Sequence, residues 1–316
     1  MNHATGVVAA VSGGPDSMAM MHLLARWASE RRPSVLVVTV DHGLRREAAE
    51  EAAFVAREAA ALGLPHRTLV WTGDKPAAGL QEAAREARYR LLIRQAREAG
   101  ASHLVTAHTQ DDQAETILMR LAKGSGLKGL KGMRREHERE GIIHARPLLD
   151  WPKTALVGLC RRNGWAFVSD PSNEDERFTR VRWRRLMPLL AEEGLTADRL
   201  ARLAERLAQA DDALDVKARQ ALEAAILESG EGELCLRAAC LVEEPFEIGL
   251  RILDQALGRI GLESTRLQRL EGCLERLRAA VPVREGLRLT IAGALLHLDR
   301  SGRLNLRPEP PRSRGR

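Results

Sequence analysis

Val7-Val8-Ala9-Ala10-Val11-Ser12-Gly13-Gly14-Pro15-Asp16-Ser17 is the stretch on which the fold turns. Its Val-rich start has the character of a strand buried on both faces. The run breaks at Ser12-Gly13-Gly14 and resumes as Met18-Ala19-Met20-Met21-His22-Leu23-Leu24, which has helical character. Pro15 suits a first helical turn, where a backbone N–H has no intrahelical partner. Two glycines can take positive φ, so successive N–H groups can curl into an anion-holding nest. The helix N-terminus adds partial positive charge, and Ser12 and Ser17 add hydroxyl donors. The stretch therefore predicts a phosphate loop. It is not the loop G-x-x-x-x-G-K-S/T, because no lysine precedes Lys75. The competing reading is a plain glycine turn; the order strand, turn, helix favours the phosphate loop.

The 316 residues accommodate one large domain and a smaller one. Hydrophobic residues make up 44% and aromatics only 3%, so Leu, Ala and Val must fill the core. A net charge of +6 permits a polyanionic partner, although an Arg-rich proteome would shift it the same way. Cys160, Cys235, Cys240 and Cys273 form no C-x-x-C pair and read as reduced thiols of a cytoplasmic protein. No apolar run reaches about 18 residues, so no membrane span is expected. Met1–Thr5 leads straight into the first strand, and no signal peptide is expected.

Further strands are predicted at 34–40, 69–71, 103–107 and 165–168, alternating with helices near 45–62, 79–99 and 153–163 and with one after the fourth strand that turns Ile117, Leu118 and Leu121 inward. The pattern predicts a doubly wound, mostly parallel five-stranded α/β sheet. Ligands of such sheets sit beyond the strands' carboxyl ends. Asp41-His42-Gly43 falls at one such end and His108-Thr109-Gln110-Asp111-Asp112-Gln113-Ala114-Glu115-Thr116 at another. Asp111 or Asp112 is well placed as the N-cap or as a first-turn acid of the helix that follows. Capping does not require Asp111, Asp112 and Glu115 together. Asp112 and Glu115 are i,i+3 neighbours, able to face one cleft and hold a cation, Mg²⁺ or an amine. Arg85 and Arg88 share a face of the third helix, where Glu82, Glu86 and Glu98 could pair with them.

Residues 123–133 hold four glycines and three lysines, Lys123, Lys128 and Lys131. Gly124, Gly126 and Gly129 match G-x-G-x-x-G, but a helix precedes them, which excludes the dinucleotide reading. A mobile basic loop for a polyanionic substrate is expected instead. Residues 134–140 read as an exposed charged turn and Asp170-Pro171-Ser172-Asn173 as another turn. Residues 177–185 contain five arginines, among them Arg180, Arg182, Arg184 and Arg185, interleaved with Phe178 and Trp183. Such a segment suits RNA loops; it also suits a helix with Phe178, Val181 and Leu186 inward. From about 198, Leu200, Leu203, Leu207, Ala210, Leu214, Ala221 and Ala225 mark a long linker helix. Helices at 245–258 and 264–279 follow, then a β-meander over 287–306. The tail near 307–316, with four arginines and three prolines, is expected to be disordered. The expected domains are 1–195 and 196–316.

Ser-Gly-Gly-Pro-Asp-Ser resembles the S-G-G-x-D-S pyrophosphate loop of the N-type ATP pyrophosphatases. With Val40-Asp41-His42-Gly43-Leu44-Arg45, Ala84-Arg85–Arg88-Tyr89, Thr106-Ala107-His108, Asp111–Thr116, Gly124-Ser125-Gly126 and Asp170–Asn173 in order, the chain resembles the tRNA(Ile)-lysidine synthetase family. The resemblance is specific over 7–190 and thin beyond. Thr109 departs from it, since the family often has a second His there. The chain resembles the short form of the family. The resemblance implies ATP, Mg²⁺, free L-lysine, an isoleucine tRNA with a CAU anticodon and a homodimer. It implies ATP binding by Ser12, Gly13, Gly14, Pro15, Asp16, Ser17, Asp41 and His108, with Asp16 a candidate Mg²⁺ ligand. Asp16, Arg88, Asp112 and Glu115 are the catalytic candidates, and Asp112 and Glu115 the lysine site. The tRNA-binding candidates are Lys123, Lys128, Lys131, Arg180, Arg182, Arg184 and Arg185, and a helical second domain is assigned to the same partner. Three alternatives stand beside this. A cytidine thiolase would need C-x-x-C pairs. An amidotransferase such as GMP synthetase would need an ammonia source. An inactive tRNA-binding module would not need Ser12–Ser17 and Asp111–Glu115 intact.

Overall fold

The computed structural model describes residues 4–31, 33–43, 47–73, 75–76, 79–168, 179–263 and 265–310. The segments 44–45, 170–173 and 177–178 singled out above lie outside the described residues. The chain divides into two units, Met1–Ser125 with Gly129–Glu205, and Gly126–Lys128 with Arg206–Arg316.

The first unit runs β1 (Gly6–Ala10), α1 (Pro15–Arg31), β2 (Ser34–Asp41), α2 (Glu47–Ala61), β3 (His66–Val70), α3 (Leu80–Glu98), β4 (His103–Thr106) and α4 (Gln110–Leu121). A single turn, α5 (Leu127–Leu130), precedes the hairpin β5 (Glu136–Arg139) and β6 (Ile142–Ala145). The helices α6 (Lys153–Asn163) and α7 (Thr179–Glu192) follow, then α8 (Ala197–Ala225), the linker helix, of which residues 197–205 belong to the first unit and 206–225 to the second. The sheet order is β3-β2-β1-β4-β6-β5, parallel throughout except for β5. Side chains alternate across β1. Val7 and Ala9 pack with Met18, Met21, Val55 and Leu156 on one face; Val8 packs with Leu92, Ile93 and Leu104 on the other. Both faces of the central strand are covered, which is why its sequence is apolar without a break.

Two sequence expectations fail in this sheet. Residues 134–140 are not merely a turn, since Glu136–Arg139 form the antiparallel edge strand. Charged side chains suit an edge that borders water. Trp165-Ala166-Phe167-Val168 is not the fifth strand. Trp165 stacks on His22 with ring centroids 4.2 Å apart, and the Val168 N–H donates to the Gly13 carbonyl (2.9 Å). Its apolar residues pack beside α1 without entering the ladder, and β6 takes the fifth parallel position. The third strand also begins earlier than expected, at His66.

The second unit packs α9 (Cys240–Glu243), α10 (Phe246–Arg259) and α11 (Leu267–Ala280) against an antiparallel sheet. That sheet has the order β7-β8-β11-β10-β9, from β7 (Ile226–Gly230), β8 (Glu233–Arg237), β9 (Leu287–Ile291), β10 (Ala294–Leu298) and β11 (Arg303–Pro308). The last three are the expected meander, turned at Ala292 and Gly293, both with positive φ. The β7–β8 hairpin goes unread in the sequence because the helical period of α8 runs directly into Ile226. The tail expectation fails at its start. Arg307 and Pro308 belong to β11, and the Glu309 N–H donates to the Gly293 carbonyl (2.7 Å). Residues 311–316 lie outside the described ones. Among the described residues no helix is long and apolar enough to cross a membrane.

Within this unit Arg251 is nearly buried and reaches Asp211 (2.7 Å), Asp215 (2.5 Å) and Glu247 (2.8 Å). Asp211 is fully buried. Removing the guanidinium takes its ion pair from a buried carboxylate. Arg251→Ala is therefore expected to cost about 3–5 kcal/mol, measured by urea unfolding, with Arg251→Lys recovering part of the loss.

Candidate active site

The register that sets Ala10 beside Thr106 brings the carboxyl ends of β1 and β4 together. The loop after β1 and the start of α4 therefore leave the sheet as neighbours. Gly13 has φ +89°, a conformation that L side chains rarely adopt. The Ser12 N–H donates to Ser17 Oγ (3.2 Å), and Ser17 Oγ–H donates to the Gly14 carbonyl (2.9 Å). Ser12 Oγ lies 3.4 Å from Ser17 Oγ. The loop is thus braced from within, with the start of α1 aimed across it.

Asp16 leaves this loop toward α4 and α6. Its Oδ2 lies 3.3 Å from Lys153 Nζ, while its Oδ1 is buried without a hydrogen-bond partner. Burial pushes the carboxyl up, Lys153 works against that, and Asp112 and Asp111 add to it. Lys153 also donates its backbone N–H to Asp111 Oδ2 (2.7 Å). The sequence reading passed over Lys153; its position at the start of a helix that follows Trp151-Pro152 was the one available signal. An orphaned, buried carboxylate oxygen at a phosphate loop is a fitting ligand for Mg²⁺, which takes one or two carboxylates plus substrate phosphates. The acidic trio with ligand-like spacing among the described residues lies elsewhere, at Asp211, Asp212 and Asp215, two of them engaged by Arg251.

Of the two places offered to Asp111 and Asp112, the structure gives them the first turn of α4, and the N-cap is Thr109. Thr109 Oγ1 accepts from the Asp112 N–H (3.4 Å), and Asp112 Oδ2 accepts from the Thr109 N–H (2.9 Å) and hydroxyl (3.1 Å), a capping box. The residue that departs from the family pattern thus orients Asp112. Burial alone would raise the Asp112 carboxyl; His108, the Thr109 donors and Arg180 outweigh it and hold the group low. Glu115 is 1% exposed and behaves oppositely. Burial pushes its carboxyl up, although Arg184 Nε lies 2.9 Å from Oε1 and Arg180 Nε 3.5 Å from Oε2. Two arginines expected to face RNA therefore point inward to Glu115. Arg182 meets Thr179 (3.1 Å) on α7's exposed side, and Arg185 follows Arg184 on the same helix.

His108 sits over the same cleft; burial pushes its imidazole down, and the Asp112 carboxylate works against that. Its Nδ1 is 2.8 Å from Thr106 Oγ1. Asp41 ends β2 and accepts from the Gly43 N–H (2.7 Å), turning the chain at a neighbouring carboxyl end. Arg88 packs on Tyr89, its guanidinium carbon 5.2 Å from the ring centroid, rather than pairing with a glutamate. Glu98 instead pairs with Arg94. The basic segment is not the free loop expected. Arg120 donates to the Gly129 and Gly132 carbonyls (2.6 and 3.0 Å), and Gln113 clamps Met133 from both sides (2.7 and 2.9 Å). Lys128 pairs with Asp254 (2.9 Å), and Lys123 is exposed. Lys131 lies between them and Gly132 at the turn.

A family model described as a PP-loop domain matches residues 2–190. The tRNA(Ile)-lysidine synthase of Methylobacterium nodulans is 53% identical across 99% of this chain and 93% of its own. The chain belongs to the tRNA(Ile)-lysidine synthase family of PP-loop proteins. The Rhodopseudomonas palustris tRNA(Ile)-lysidine synthase is 51% identical over the same shares. The U34-tRNA thiolase NcsA from Methanococcus maripaludis shares the fold, with a TM-score of 0.56 and 17% identity over 64% of this chain and 72% of that one. The chain is accordingly an ATP-dependent, ligase-type enzyme of a tRNA-modification family.

For this family member the cap makes a direct prediction. Thr109→Ala should lower stability by about 1 kcal/mol, with Thr109→Ser close to the parent, measured by urea unfolding. Asp112 is held below its unfolded value of about 3.9. Its contribution is therefore present above that pH and lost as pH falls through the folded value. The parent should lose more stability on the acid side than Thr109→Ala does.

Proposed function

We propose that this protein converts the wobble cytidine of the CAU-anticodon isoleucine tRNA to lysidine, using ATP and free L-lysine. The observation that carries the reading is geometric: Asp112, fixed by the Thr109 cap, and the buried Glu115, met by Arg184 and Arg180, stand in the first turns of α4 beside the phosphate loop. Two carboxyls with separated proton affinities divide the work of anchoring a cation and accepting its proton.

In the first step cytidine O2 attacks the α-phosphorus and pyrophosphate leaves. The N–H groups of the Ser12–Ser17 nest, with its hydroxyls, hold the departing phosphates. Mg²⁺ held by Asp16 would supply charge neutralisation on the phosphate oxygens. Lys153 keeps Asp16 in place. In the second step the lysine side-chain nitrogen attacks C2, and AMP departs with the former O2. An amine of pKa about 10.4 is unprotonated in roughly 1 in 2,500 molecules at pH 7. Asp112 holds the ammonium, and Glu115, the more basic carboxylate, takes its proton. Arg184 and Arg180 already show that Glu115 attracts cations; the incoming ammonium competes with them for it. Arg88, Asp41 and His108 line the cleft for the nucleotide and the base. Domain 196–316 and the basic residues Lys123, Lys128, Lys131, Arg182 and Arg185 hold the tRNA.

A thiolase-type reaction finds little support. Cys160 is the one cysteine among residues 1–205, buried and with its thiol pushed up by that burial.

The steps are separable. Asp16→Ala is expected to lower tRNA-dependent pyrophosphate release by about 10²–10³-fold with the fold intact by circular dichroism. Asp112→Asn is expected to form adenylated tRNA and stall before lysidine, read by mass spectrometry of a single turnover. Absence of the adenylate in Asp112→Asn, under lysine-free conditions where the parent accumulates it, would overturn the amine-site assignment.

A further inference from the structure

We propose that a pocket between α3 and the β5–β6 hairpin binds a phosphate group, separately from the Ser12–Ser17 loop. The pocket has a volume of about 250 Å³. Its floor is Arg146, 7% exposed, whose guanidinium donates to the Arg134 carbonyl (2.7 Å) and meets His137 Nδ1 (3.3 Å) and His144 Nδ1 (3.2 Å). None of these partners is anionic, and Arg146 Nε has no partner at all. Beside it the hydroxyl of Tyr89, itself 4% exposed, completes no hydrogen bond. The guanidinium carbons of Arg85 and Arg139 stand 5.3 and 5.5 Å from the Tyr89 ring centroid. Among the described residues, neither these two nor Arg146 forms an ion pair.

A buried cation without a counter-charge is costly, and an orphaned hydroxyl adds to the cost. One anion accepting from Arg146, Tyr89, Arg85 and Arg139 would relieve both. Arginine's planar fork suits phosphate oxygens. The volume falls below the roughly 300–1,000 Å³ of pockets for drug-sized ligands, which favours a phosphate over a whole nucleoside. Glu82 and Glu86 also line the pocket, but both are exposed, so water and salt screen their repulsion. The ligand chemistry is a phosphate oxyanion, either a backbone phosphodiester of the RNA substrate or free phosphate. The assignment stands on the pocket's own residues and survives if the lysidine chemistry fails.

The pocket reports its occupancy through His137 and His144, which touch Arg146; His144 also shares Thr106 Oγ1 with His108 of the nucleotide cleft, so His137 and the loss of affinity in the double variant separate the pocket from the Ser12–Ser17 loop. Inorganic phosphate is titrated into the full chain at constant ionic strength, with chloride as control, and the imidazole signals are followed by NMR. The expected result is a saturating shift of both histidines in the parent, with at least a tenfold weaker apparent affinity in Arg85→Gln/Arg139→Gln. These exposed residues can be replaced without disturbing the core. A shift no larger than that in chloride, or one that saturates equally in the double variant, would overturn the proposal. The source is then resolved with unmodified tRNA transcript. If an RNA phosphodiester is the ligand, transcript suppresses the phosphate-induced shifts, and the double variant loses about one unit of the salt slope of tRNA binding. If free phosphate is the ligand, the shifts persist with tRNA bound and the slope is unchanged.

Discussion

β1 is hydrogen-bonded in parallel to β2 on one side and to β4 on the other. The chain leaves it outward through β2 and β3, then crosses the sheet by α3 and returns as β4. The connecting helices change faces at that reversal. The two segments that follow β1 and β4 therefore part in opposite directions above a shared seam, and the gap between them is where ligands of open α/β sheets lie. Ser12–Ser17 borders it on one side and Thr109–Glu115 on the other. No single motif makes this site; adjacency of two carboxyl ends does, and adjacency comes from strand order.

That geometry crowds acids. Asp16, Asp111 and Asp112 are half-buried and Glu115 is buried, and a carboxylate drawn out of water is costly without a partner. The structure meets the cost with cations drawn from later in the chain. Lys153 serves Asp16 through its ammonium and Asp111 through its backbone N–H, while Arg184 and Arg180 serve Glu115. Asp112 relies chiefly on the Thr109 cap. The acids therefore differ in how readily each can give its partner to a substrate. Glu115 is held by side chains of a second helix, whereas Asp112 is held by its own helix's first turn.

The sequence made the strand–loop–helix at 7–24 legible because its period changes sharply at two glycines. It also showed the acids at β4 because capping could not account for all of them. It failed where a local pattern served a purpose other than the expected one. Trp165–Val168 is apolar because it packs on α1 and ties down Gly13, and an apolar tetrapeptide looks the same whether or not it joins a ladder. Glu136–Arg139 is charged because it is an edge. Lys153 was invisible because the carboxylate it meets, Asp16, lies far back in the chain, and no spacing rule spans that distance.

The arginines of α7 show the same limit more sharply. Four arginines around Trp183 suggest a surface for RNA, and helical spacing puts Arg180 and Arg184 on one face, four residues apart. That face is turned to Glu115, so part of the apparent phosphate-binding charge is already neutralised within the protein. Net charge overstates what a helix can offer to a polyanion whenever a buried acid lies across from it. The reverse holds at Arg146, Arg85 and Arg139. There, charge that looks like ordinary surface composition in the sequence has no anionic partner among the described residues, and the unmet demand for an anion becomes visible only once α3 and the β5–β6 hairpin are brought together.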